Sequence, residues 1–138
     1  MSEQDRQIAK RFADALFYNS AISLALVGAI FLAFPIFIDL SGLDLILWPL
    51  FALSFFAVMG LTLYLAFEAV LFRMIASYND LASALKAIDA FLRRSGLRPE
   101  TRENRSFTER LAGTQRLLNF QRAALFLFLA LFAALVAL

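Results

Sequence analysis

Apolar residues run almost unbroken through three stretches of this chain, residues 15–38, 45–72 and 123–138, and polar residues separate them. Crossing a hydrocarbon layer of ~30 Å takes about 20 helical residues, so the first two stretches are long enough to span a bilayer. The third is shorter, roughly 24 Å at 1.5 Å per residue. Arg122 at its start is placed to snorkel toward the headgroups, and Leu117, Leu118 and Phe120 extend the apolar surface behind it. The pattern predicts an all-α, polytopic membrane protein with three transmembrane helices. The first stretch exceeds the apolar core of a secretory signal, acids precede it and no A-x-A site follows, so it is read as a retained helix.

Periodicity persists between the second and third spans. Leu71, Met74, Tyr78, Leu81, Leu85, Ile88 and Leu92 alternate in steps of three and four, which predicts that span two continues as one long helix. Gly96 fits the C′ position of its end and Leu97 the C″ position, with Arg93 and Arg94 complementing the helix dipole. Ser106 and Glu109 form a capping box, after which Phe107, Leu111, Thr114 and Leu118 lead into span three. Residues 73–122 are therefore expected to form a cytoplasmic antiparallel helical hairpin extending spans two and three. Its two seams would pack within one chain or between chains, the first being preferred. Residues 1–14 read as a helical extension of span one, capped by Ser2 and Asp5, with Ile8, Phe12 and Leu16 on one face. Residues 39–44 form a short outer turn, near which Pro35 and Pro49 loosen the helix ends.

Charge adds a direction. All thirteen Lys and Arg residues lie in residues 1–14 and 73–122, whereas the outer turn carries only Asp39 and Asp44. The positive-inside bias places the N-terminus and residues 73–122 in the cytoplasm and the C-terminus outside. The preponderance of Arg over Lys suggests a bacterium with a GC-rich genome, so the expected location is a bacterial inner membrane. Basicity of this origin does not indicate nucleic acid as a partner. An apolar content of 62% would leave a soluble domain of this size with large exposed patches. The absence of Cys and His excludes disulfides, thiolate or imidazole chemistry, most zinc sites and His- or Cys-ligated haem. No nucleotide loop or hydrolase motif is present, so neither a cofactor nor catalysis is expected.

Few residues remain as candidates. Glu68 is the single acid within a span, with Asn19 at a similar depth on span one and Arg122 and Arg11 near the same level. A buried carboxylate in lipid is costly unless it is paired or functional. These four residues are read as a polar cluster, with a cation or proton site on Glu68 as the alternative. Ala21, Ala25, Ala29 and Ala33 form a small-residue stripe suited to close helix packing, with packing inside the bundle preferred. Arg93, Arg94, Arg98, Arg102 and Arg105 cluster at the hairpin tip, ~30 Å from the bilayer if the hairpin stands upright. Together these features suggest a non-catalytic subunit or scaffold of a homo- or hetero-oligomeric assembly with other membrane proteins in the lipid bilayer. The alternative is a small oligomeric cation or proton channel or transporter using Glu68.

Overall fold

A computed structural model describes residues 2–37, 44–97 and 106–137. Its helices are α1 (Glu3–Phe37), α2 (Asp44–Ser77), α3 (Leu81–Arg94) and α4 (Phe107–Ala137), and there is no strand among the described residues. Residues 39–43 of the expected outer turn and Arg98, Arg102 and Arg105 lie outside the described residues, and Asp44 of that turn opens α2. Helices α1, α2 and α4 are long and apolar enough to cross a membrane.

Helix α2 is the centre of the bundle, with α1 and α4 packed against it. Phe12 meets Phe72 at one end and Phe34 meets Phe51 toward the other, so α1 and α2 run antiparallel. Phe107 near Phe72, and Phe128 on Phe51, give α4 the same relation to α2. The outward surface of these helices is as apolar as the interior: Leu32, Leu53, Phe56, Leu63, Phe126 and Leu127 are all exposed. A bilayer solvates such a surface and water does not, so the fold is compatible with an integral membrane protein.

The helix ends follow the local chemistry of the sequence. The Ser2 hydroxyl accepts from the Asp5 amide at 3.1 Å, and the Ser2 amide donates to the Asp5 carboxylate at 3.2 Å. Ser106 and Glu109 do the same for α4, at 3.2 and 3.1 Å respectively. At the end of α3 the Leu97 amide reaches the Leu92 carbonyl and the Gly96 amide reaches that of Arg93. Gly96 holds φ +68°, the left-handed conformation this closure needs.

One expectation fails. Span two does not continue to Leu92 as a single helix, because α2 ends at Ser77 and α3 begins at Leu81. Asp80 takes extended backbone angles and caps α3, accepting from the amides of Ala82 and Ser83 and from the Ser83 hydroxyl. The Ser83 hydroxyl, then the Ser83 and Ala82 amides, hold the Asp80 carboxyl below its ordinary value. A depressed carboxyl pKa means this cap is intact at neutral pH and lost only as pH falls through that value. Arg6 fastens the break from α1, donating to the Tyr78 carbonyl at 3.4 Å and to Asn79 Oδ1 at 3.2 Å. Seam residues still meet: Ile88 and Leu118 are buried in one cluster, with Met74, Tyr78, Leu81, Leu85, Leu92, Phe107 and Leu111 packed on it. Because α4 starts level with Phe72, the arm beyond the spans is much shorter than an upright hairpin of ~30 Å.

The core falls into two apolar clusters. One, toward the N-terminus of α1, centres on Ala9, Ala13, Leu16, Leu65, Phe72, Ile75 and Ile88. The other, toward the C-terminus of α1, centres on Val27, Phe34, Phe51, Val58, Phe128 and Leu135. Polar side chains lie between them.

Candidate functional site

The residue that joins the helices is Gln121, wholly buried on α4. Its Nε2 donates to Ser23 Oγ of α1 at 2.8 Å and to Thr62 Oγ1 of α2 at 3.3 Å. Its Oε1 accepts from Asn19 Nδ2 of α1 at 3.4 Å. One amide thus uses three of its four hydrogen-bonding positions on two other helices, as only Asn or Gln can. The far ends of α1, α2 and α4 lie about 21, 27 and 24 Å from this level at 1.5 Å per residue. In a ~30 Å hydrocarbon core reached from those far ends, the layer would fall inside, close to the edge on the α1 N-terminal side.

The expected cluster of Glu68, Asn19, Arg122 and Arg11 is not assembled. Glu68 is buried on α2 at 8% exposure. Arg11 and Arg122 are exposed, and neither forms an ion pair with it. Asn19 turns to Gln121 instead. The physical reason is helix phase: Arg122 follows Gln121 by one residue, about 100° around α4, so burying the amide turns the guanidinium outward. Asp14 pairs with Arg73 at 3.1 Å on the exposed surface, where Arg73 also sits 5.0 Å over the Phe17 ring.

The alanine stripe also faces away from the interior. Ala21, Ala25 and Ala29 are exposed and Ala33 is half-buried. The inward face of α1 is carried by Ser20, Ser23, Val27 and Phe34.

A second polar contact is absent from the sequence reading. Arg110 of α4 meets Asp89 of α3 at 3.4 Å, with side chains 6% and 4% exposed. Both it and Gln121 had a legible signal. Phe107, Arg110, Thr114, Leu118 and Gln121 recur in steps of three and four, so the two polar residues share the buried face of α4.

Among the described residues no group of His, Cys, Asp and Glu could hold a metal ion. The arrangement serves to fasten helices. Gln121→Leu keeps the volume and removes three hydrogen bonds. At ~0.6 kcal/mol each in a membrane, a loss of about 2 kcal/mol is expected. Reversible unfolding in detergent micelles measures it; a change near zero would show that the layer fastens nothing. Comparison with protein-family models, with curated proteins and with solved structures yields no match.

Proposed function

We propose that this chain is a non-catalytic subunit or scaffold of an oligomeric assembly in a bacterial inner membrane. In this reading α3 and the N-terminus of α1 face the cytoplasm and the end of α4 faces outward. The use of the interior carries the proposal. Phe51 is fully buried, stacked on Phe34 at 4.5 Å and on Phe128 at 4.8 Å, and the ring cluster fills the outer half between the helices. Polar groups at the inner end are spent joining α1, α2 and α4. An interior filled this way supports a building role over passage through a single chain.

Charge supports the orientation, since every cation among the described residues lies on the α1 N-terminal side of the polar layer or beside it. The outward Ala21, Ala25 and Ala29 support assembly, because small residues let another helix approach closely in lipid. The exposed face of α3, with Lys86, Arg93 and Arg94, supplies a cytoplasmic contact surface.

The second reading, an oligomeric cation or proton channel or transporter, is favoured by one observation: Glu68 is held within the bundle. A path would then run between copies. Flux into liposomes separates the two readings. The scaffold predicts no ion or proton flux that Glu68→Gln abolishes, and a native mass larger than one chain. Flux lost in Glu68→Gln with assembly intact would establish the channel. A monomeric native mass would sink the scaffold.

A further inference from the structure

One face of α4 breaks the apolar surface of the spans. Gln115, Arg116, Asn119 and Arg122 are all exposed, at the depth where the opposite face buries Thr114, Leu118 and Gln121. Asn119 is three residues from each arginine, so the three side chains form a slanted ladder of helix neighbours ~5–6 Å apart. Phe120 and Phe126, 68% and 75% exposed, flank it.

Two facts identify what the ladder meets. First, neither arginine has an ion-pair partner among the described residues. The acids have other contacts: Asp14 with Arg73, Asp89 with Arg110, Asp80 and Glu109 in helix caps. Two cations at an apolar boundary with no anion paired to them among the described residues call for one from outside. Second, the depth is specific. Arg122 and Arg116 lie about 22 and 32 Å from the Ala137 end of α4, and so bracket the edge of a ~30 Å hydrocarbon core. Lipid phosphates occupy that level, within reach of a snorkelling arginine.

We infer that Arg116, Asn119 and Arg122 form a binding site for the headgroup phosphate of an anionic phospholipid, in the leaflet on the α1 N-terminal side. The guanidiniums bind the phosphate oxygens in bidentate fashion, and the Asn119 amide donates from between them. Phe120 and Phe126 lie along the acyl chains.

The inference rests on the bilayer-spanning reading, and its test separates the two. The full chain is placed in nanodiscs of equal phosphatidylglycerol and phosphatidylcholine, released in the mass spectrometer, and its retained lipids are counted. Wild type is expected to retain phosphatidylglycerol over phosphatidylcholine. Each of Arg116→Gln and Arg122→Gln is expected to cut the preference about fivefold, and Lys10→Gln, equally unpaired on α1, to leave it unchanged. These side chains have no ion-pair partner among the described residues, so circular dichroism should be unaltered. An equal loss in Lys10→Gln would reduce the effect to bulk charge and overturn the site. Displacement of the lipid by millimolar inorganic phosphate would make it a phosphate site instead. A changed native mass with unchanged lipid retention would assign the face to a protein partner. Failure of every variant, wild type included, to enter nanodiscs would overturn the membrane reading itself.

Discussion

Asp89→Leu is expected to destabilise the fold by about 3–5 kcal/mol, because it leaves the Arg110 guanidinium buried with no counter-charge. The pair itself contributes much less than that loss. Removing both charges, as Asp89→Leu with Arg110→Met, is expected to bring stability back to within about 1 kcal/mol of wild type, since desolvating two ions offsets most of their attraction. Amide hydrogen exchange on α3 and chemical unfolding in micelles read the two results. Additive losses in the double variant would show that the side chains act separately, and the contact across α3 and α4 would lose its role.

Phe51→Ala is expected to cost about 3–4 kcal/mol. In lipid the loss has a different make-up from that in a soluble core. The removed ring gains little from leaving water, so most of the cost is the void and the lost dispersion contacts to Phe34 and Phe128. Phe51→Leu refills part of that volume and is expected to cost about a third as much. Phe126→Ala, on the 75% exposed outer surface, should change stability by less than about 0.5 kcal/mol, because lipid replaces what the ring touched. Equal losses at Phe51 and Phe126 would mean that the stack does not hold its half of the bundle together.

Sequence and structure agree wherever a short-range rule decides. Three spans are set by apolar length, and the caps at Ser2, Ser106 and Gly96 by the reach of a side chain or a permitted φ. Disagreement begins where a pattern of spacing cannot see a turn. Tyr78 to Leu81 is a step of three, so the seam reads straight through the break, although Asp80 and Ser83 carry the signal of a new helix start. The candidate cluster illustrates a second limit. Depth along a span placed Glu68, Asn19, Arg11 and Arg122 together, but depth without phase around the helix cannot separate a buried neighbour from an exposed one. Gln121 is masked in the sequence by the more conspicuous charge of Arg122. Asp89 and Arg110 adjoin the apolar Ile88 and Leu111, whose spacing dominates the seam.

The amide layer at Gln121 also bears on how the bundle answers a change in its surroundings. Greasy helix faces fit one another in many axial offsets with small differences in energy, so they tolerate sliding. A single rung of directional bonds to Ser23 and Thr62 makes one offset far better than its neighbours. When the bilayer thins or thickens, these three rods should therefore lean together as one body, without slipping past one another.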